Sequence, residues 1–148
     1  MNKIRLRILN PELVTEPPRY MTEHSSGMDI RASLETDYIL KSRGFALIPT
    51  GISVAVPEGY ELQVRARSGL AARNGIGVLN GPGTIDSDYR GEIKVILFNF
   101  SDIDFTIHHG DRIAQLVLAK VEKANLEIVD ELPETIRNEG GFGHSGII

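Results

Sequence analysis

Apolar residues recur at every second position through much of this chain. Near the N-terminus Ile4, Leu6 and Ile8 alternate with charged neighbours, the period of a half-buried strand over Lys3 to Leu9. Glu12 to Arg19 contains Pro17-Pro18 and reads as a loop, and Met28 to Ala32 as a short extended piece after Ser25-Ser26-Gly27. Phe45 and Leu47, then Ile52, Val54 and Val56, predict strands broken at Pro49-Thr50-Gly51. Pro57-Glu58-Gly59 predicts a turn into a further alternation at Tyr60, Leu62 and Val64. Ser68 to Arg73 has helix-favouring Ala and Leu over one or two turns. Ile76 to Leu79 and Thr84-Ile85 flank Asn80-Gly81-Pro82-Gly83, which predicts a hairpin with a tight tip that exposes its backbone. Ile93 to Phe100 is β-branched and aromatic and predicts a buried strand, with another at Phe105 to His108. Arg112 to Val121 has a helix-compatible composition, but its apolar positions fit a strand about as well, and it is assigned as strand in an all-β chain. Leu126 to Val129 predicts a last short strand.

Many short strands between Gly/Pro turns, with almost no helical periodicity, predict an all-β fold: a sandwich or a distorted, jelly-roll-like barrel with one short helix. No internal repeat is present, and 148 residues suit one domain. After Leu132-Pro133 the character changes. Arg137 to Gly146 is polar and glycine-rich with a single aromatic, Phe142, and cannot build a core. This predicts a β-domain over residues 1–132 and a flexible C-terminal arm over 133–148.

Composition narrows the classes further. A hydrophobic fraction of 41% and a mean hydropathy of -0.10 are ordinary for a globular protein. With no cysteines there is no disulfide framework, thiol nucleophile or Cys-ligated zinc, in keeping with a reducing compartment. A formal net charge of -4 argues against coating nucleic acid. The N-terminus lacks the apolar core of a signal peptide, and no apolar run approaches the roughly 18 residues of a membrane span. The expectation is a soluble, cytoplasmic protein with neither nucleic acid nor membrane as partner.

Candidate chemistry falls into a few clusters. Arg67-Ser68-Gly69 opens the short helical piece and reads either as an anion site or as a Ser N-cap beside a surface Arg. Asp86 and Asp88 follow the glycine-rich turn and could orient or deprotonate a water or hold a metal; a solvated Asp pair at a strand end is the commoner case. Tyr89 is amphipathic and suits packing on a sugar or base, or a place on a rim. Gln115 is a polar residue in an apolar stretch, facing outward or aimed at a ligand. The histidines at 24, 108, 109 and 144 lack the spacing of a transition-metal site. In the tail, Arg137, Phe142, Gly143, His144 and Ser145 combine a cation, a stacking face and small donors. They suit a segment that orders over a phosphorylated base as well as a frayed end.

In order along the chain these segments resemble the five motifs of the trimeric dUTPase family. They are Ser26 to Ala32 (SGMDIRA), Arg67 to Ala71 (RSGLA), the stretch from Gly75 ending in Gly83 to Glu92 (GTIDSDYRGE), Gly110 to Leu116 (GDRIAQL) and Arg137 to Gly146 (RNEGGFGHSG). Departures are small: Asn138 stands where the fifth motif usually has Gly, and Ser26 and Ala66 replace commoner neighbours.

The resemblance implies a β-clip fold and hydrolysis of dUTP to dUMP and pyrophosphate, keeping uracil out of DNA and supplying dUMP for thymidylate synthesis. It implies that Asn80 to Thr84, Gly83 among them, read the uracil, that Ile85 also binds substrate and that Tyr89 excludes a 2′-hydroxyl. Asp86 would activate the attacking water. Arg67, Ser68, Gly69 and Gln115 would bind phosphates, with Lys94 also placed at the substrate. Mg²⁺ would ride on the triphosphate, with Asp29 in its outer shell through water. Phe142 would stack on the base while Arg137, Gly143, His144 and Ser145 close over the phosphates. It also implies a homotrimer with shared sites. An intact GTIDSDY stretch and a full fifth motif argue against the rival readings, a dCTP deaminase or a non-catalytic relative on the same fold.

Overall fold

The computed structural model describes residues 3–14 and 16–140. In chain order the elements are β1 (Arg5–Ile8), β2 (Arg19–Tyr20), β3 (Met28–Arg31), β4 (Tyr38–Leu40), β5 (Phe45–Ala55) and β6 (Tyr60–Arg65). Then come α1 (Ser68–Asn74), β7 (Ile76–Val78), β8 (Gly83–Ile85), β9 (Glu92–Asn99), β10 (Phe105–Ile107) and β11 (Arg112–Lys120). Their pairing is antiparallel throughout and builds a four-stranded sheet ordered β1-β5-β9-β7, a five-stranded sheet ordered β2-β3-β11-β6-β8 and a β10-β4 ribbon. The all-β class is as expected; among the described residues the pairing leaves three sheets rather than one closed ring.

The three sheets share one core. Ile48, Ile52, Val95 and Leu97 from the four-stranded sheet meet Ile30, Leu62, Ile113 and Leu116 from the five-stranded one, with Leu40 and Ile107 from the ribbon. Alternation works as the sequence implies on β9, where Ile93, Val95, Leu97 and Asn99 point inward. The other face of that strand is not buried: Lys94 is exposed and Ile96 and Phe98 are half-buried, so β9 is covered on one side only.

Several sequence expectations change on contact with the fold. Pro49-Thr50-Gly51 does not break the chain into two strands. β5 runs through it, with its pairing to β9 shifting from Pro49↔Lys94 to Ser53↔Glu92. Four steps on β5 against two on β9 insert an even number of residues, so the inward set Ile48, Ile52, Val54 stays inward. The interruption is satisfied locally: the Thr50 hydroxyl donates to the Ile93 carbonyl, and the Gly51 amide donates to Glu92 Oε1 at 2.9 Å. The segments around Asn80-Gly81-Pro82-Gly83 are strands, but not partners in a hairpin. β7 pairs with β9 and β8 with β6, so the turn carries the chain from one sheet to the other. Leu126 to Val129 is not a strand; Leu126 is 90% and Ile128 99% exposed, and no described strand lies beside them. A strand needs a partner for its backbone groups, and an alternating sequence does not supply one. β1 pairs with β5 and is exposed along its length rather than half-buried.

A buried amide ties the ribbon to the four-stranded sheet. Asn99 is fully buried. Its Nδ2 donates to the Leu40 and Ile103 carbonyls, and its Oδ1 accepts from the Ser101 amide (2.9 Å) and hydroxyl (2.7 Å). Beside it Asp104 accepts from Lys41 Nζ at 2.7 Å and from the Ser42 amide at 2.9 Å. The Lys41 hydrogen bond, then the Ser42 amide, hold the Asp104 carboxyl below the ordinary aspartate range. A carboxyl depressed on folding contributes stability above its unfolded pKa of about 3.9 and loses it as pH falls through the folded value. We therefore expect Asp104→Asn to lower the melting temperature near neutral pH and the gap from wild type to narrow as pH falls below about 4, as read by thermal unfolding against pH.

Candidate active site

The central strand of the five-stranded sheet collects one group of polar side chains. β11 lies between β3 and β6, and its register sets Gln115 opposite Asp29 on one side and Arg65 on the other. Cross-strand partners share a face, so Gln115 and Asp29 project together. Strict alternation would send Arg112 to the opposite face, three residues before Gln115. A register shift between Arg112 and Ala114 changes this. Ile113 and Ala114 are both buried in succession, and Arg112 emerges on the Gln115 side. Beyond the end of β6, Arg67 caps α1 with φ -89° and ψ 124°.

These elements enclose a cavity of about 370 Å³ lined by Ser26, Asp29, Arg67, Ser68, Arg112 and Gln115, with Gly69 at its edge. Inside it Asp29 is 15% exposed and held at both oxygens: Arg67 Nε donates to Oδ1 at 3.2 Å and Arg112 Nη1 to Oδ2 at 3.1 Å. Arg67 Nη1 also donates to the main-chain carbonyl of Arg112 at 3.1 Å. Gln115 Nε2 donates to the Ala66 carbonyl at 3.0 Å. Its amide lies so close to Gly27 that a β-carbon there would collide with Gln115 Oε1 and meet Cδ at 3.2 Å. Two guanidiniums against one carboxylate leave this cavity with surplus positive charge, suited to a polyanion.

A second cavity, also about 370 Å³, forms where the chain crosses between sheets. Asn80, Gly83, Thr84, Ile85, Tyr89 and Lys94 line it. It is close to neutral, since Lys94 Nζ stands 3.7 Å from Glu92 Oε2. Tyr89 Oη donates to the Glu92 carbonyl at 3.0 Å. The ring lies over Gly91, where a β-carbon would come within 2.5 Å of Tyr89 Cζ. Asp86 is exposed and opens a turn, its carbonyl accepting from the Tyr89 amide at 3.2 Å. Arg90 Nη1 staples that turn by donating to the Ser87 and Tyr89 carbonyls. Asp86 lines an adjoining groove with Ser87, Asp88 and Arg90 rather than the Tyr89 cavity.

One chain therefore gathers the expected residues in groups. Asp29, Arg67, Ser68, Gly69 and Gln115 share the first cavity; Asn80, Gly83, Thr84, Ile85, Tyr89 and Lys94 share the second; Asp86 stands beside the second. Arg137 is exposed on the C-terminal segment, its Nε donating to the Gly140 carbonyl at 2.6 Å. Phe142, Gly143, His144 and Ser145 lie outside the described residues. Arg112 is a charged cavity residue absent from the expected site. Its segment reads as a motif, but only the register shift turns its side chain away from the core and toward the cavity. No group of three or more His, Asp or Glu residues capable of holding a metal ion occurs among the described residues.

An all-β domain with an arginine-lined cavity and a neutral, glycine-edged one fits a protein that binds a phosphorylated ligand with an uncharged head. The dUTPase family profile matches residues 15–146. The deoxyuridine 5′-triphosphate nucleotidohydrolase of Fusobacterium nucleatum is 52% identical over 146 residues, covering 99% of both chains. That of Neorickettsia sennetsu is 56% identical over 131 residues, covering 88% of each. This chain belongs to the dUTPase family. Among solved structures, a Staphylococcus bacteriophage 80alpha dUTPase mutant with dUpNHpp matches with a TM-score of 0.87 at 24% identity, covering 99% of this chain and 100% of that one. A mutant dUTPase from phage phi11 of S. aureus, described for its coordination of a structural Mg(II) ion, matches with a TM-score of 0.78 at 23% identity, covering 90% and 100%. These two likenesses establish the shared fold.

The close approach at Gly91 makes the Tyr89 wall of the neutral cavity testable. Gly91→Ala is expected to push the ring off the Glu92 carbonyl with little loss of stability, since Tyr89 is 45% exposed and its ring can swing toward solvent. A crystal structure of the variant with Tyr89 unmoved would contradict this.

Proposed function

We propose that this chain is a dUTP diphosphatase, hydrolysing dUTP to dUMP and pyrophosphate. The observation that carries this is whole-length identity of 52% to a curated deoxyuridine 5′-triphosphate nucleotidohydrolase. The division of the site into a neutral cavity and a cationic one supports it, since a uracil nucleotide has an uncharged base and a polyanionic tail.

In this reading the uracil enters the neutral cavity. Asn80 and the backbone of Gly83, Thr84 and Ile85 pair with its edge. Cytosine offers the wrong donor–acceptor pattern, and leaving a buried polar group unpaired costs roughly 1–3 kcal/mol. The Tyr89 ring, fixed by its hydroxyl to the Glu92 carbonyl, lies under the deoxyribose and leaves no space for a 2′-hydroxyl. Lys94 lines the same cavity. Arg67, Ser68, Gly69 and Gln115 take the phosphates. Asp86, exposed beside the neutral cavity, accepts a proton from the water that attacks the α-phosphorus. The new bond joins the water oxygen to the α-phosphorus, and the bond from that phosphorus to the oxygen bridging to the β-phosphate breaks. Pyrophosphate leaves, and no covalent intermediate is needed.

The donor set fits Mg²⁺ carried in by the triphosphate rather than a resident ion. Both Asp29 oxygens already accept guanidinium hydrogen bonds, yet a carboxylate has spare lone pairs to accept from a metal-bound water. When bound, the ion would neutralise phosphate charge. Arg137, Phe142, Gly143, His144 and Ser145 are proposed to close over the nucleotide.

We further propose a homotrimer in which each site is completed across subunits. Supporting this, a single chain distributes the motif residues over separate cavities. It also leaves Phe45, Leu47 and Phe100 exposed on one sheet face, and residues 121–140 form no strand. Residues 133–148 are proposed to form the arm. The proposed location is the cytoplasm, with the nucleotide pool.

Two experiments test this reading. Pyrophosphate release in Mg²⁺ is expected from dUTP at least ~100-fold faster than from dCTP, dTTP or UTP; no release from dUTP would overturn the assignment. Asp86→Asn is expected to lose at least ~100-fold in turnover while binding a non-hydrolysable dUTP analogue with near wild-type affinity. A variant that keeps most of its turnover would remove Asp86 from the water-activating role.

A further inference from the structure

Arg67 is tied down at two points, and both lead through Arg112. Its Nη1 donates directly to the Arg112 carbonyl at 3.1 Å. Its Nε donates to Asp29 Oδ1 at 3.2 Å, and the other oxygen of that carboxylate accepts from Arg112 Nη1 at 3.1 Å. We propose that Arg112 is a positioning residue of the phosphate-binding cavity: by gripping Asp29 it aims the guanidinium of Arg67 at the triphosphate. The proposal rests on the assignment of that cavity to phosphates made above.

The physical need is plain from the local structure. Arg67 lies past the end of β6, and a long guanidinium side chain has many rotamers to lose. Asp29, opposite Gln115 on β3, is a rigid anchor, but alone it would pair one-to-one with Arg67. That pairing would neutralise the cation and hold it against the sheet. A second guanidinium on the far oxygen divides the carboxylate between two partners. The cluster then carries a net positive charge, and Arg67 keeps N–H donors for a ligand. Arg112 reaches Asp29 only because of the register shift between Arg112 and Ala114.

A positioning role acting through Asp29 has a signature that a separate phosphate contact lacks: the two residues are energetically coupled. Affinities for a non-hydrolysable imido analogue of dUTP and for dUMP are measured by calorimetry on full-length wild type, Arg112→Ala, Asp29→Asn and the double variant. Each single variant is expected to weaken analogue binding roughly tenfold, and the double variant to weaken it by little more than either alone. Binding of dUMP, which lacks the β- and γ-phosphates, is expected to stay close to wild type. Arg112→Lys, which keeps a cation within reach of Asp29, is expected to recover most of the affinity. Additive losses of roughly a hundredfold in the double variant, or equal weakening of dUMP, would overturn the proposal. If Arg112→Ala does not fold, Arg112→Gln, which removes the cation and keeps most of the side chain's length, replaces it in the cycle, and affinity as low for Arg112→Lys as for Asp29→Asn would overturn the proposal too. Wild-type protein that releases no pyrophosphate from dUTP would sink the assigned function first, whereas active wild type with additive losses would sink only the role of Arg112.

Discussion

The register of β11 is the constraint on which the polar side of this domain depends. Lying between β3 and β6, the strand brings Asp29, Gln115 and the segment leading to Arg67 together from positions up to 86 residues apart (115 − 29). Its inner face meanwhile supplies Ile113, Ala114 and Leu116 to the core. The irregularity between Arg112 and Ala114 serves both ends. It buries two successive apolar side chains and turns a cation outward beside Asp29. The same strand thus joins core packing to site electrostatics, and a slip of one residue would exchange the two faces.

A second constraint comes from the turn at Asn80 to Gly83. By leading β7 into one sheet and β8 into the other, it opens the space between sheets that becomes the neutral cavity. A true hairpin would have kept both strands in one sheet and closed that space. The cavity walls are therefore rigid strands and a short turn, while the catalytic candidate Asp86 stands on the next turn, stapled by Arg90. Rigid positioning of this kind suits the proposed in-line displacement, in which the protein would contribute placement and charge rather than covalent chemistry.

Much of the architecture was legible in the periodicity. The β6, β9, β10 and β11 segments and the α1 helix fall where alternation, propensity and turn residues place them. Those signals are local and report the two-residue pleat directly. The misses concern partners. Leu126 to Val129 has the alternation of a strand and no neighbour in the described chain. Phe45 and Leu47 lie in a strand as their alternation predicts, yet both apolar side chains face outward. Pro49-Thr50-Gly51 reads as a break because a proline and a glycine usually end pairing; here the Thr50 hydroxyl and the Glu92 carboxylate satisfy the groups set free.

The candidate site divides in the same way. Sequence alone determined the inventory: five motifs in order, an arginine–serine–glycine start to a short helix, a carboxylate after a glycine-rich turn, and a family resemblance that whole-length relatives bear out. These are matters of residue type and spacing. Only the tertiary structure decided which residues meet. It sent β7 and β8 to different sheets, set Asp29 between two arginines and brought Arg112 to the cavity side of its strand. The reason is that side-chain direction in a sheet depends on counting residues from a pairing partner. One extra residue, as between Arg112 and Ala114, is invisible in composition and reverses that count, whereas the two extra residues on β5 leave it unchanged.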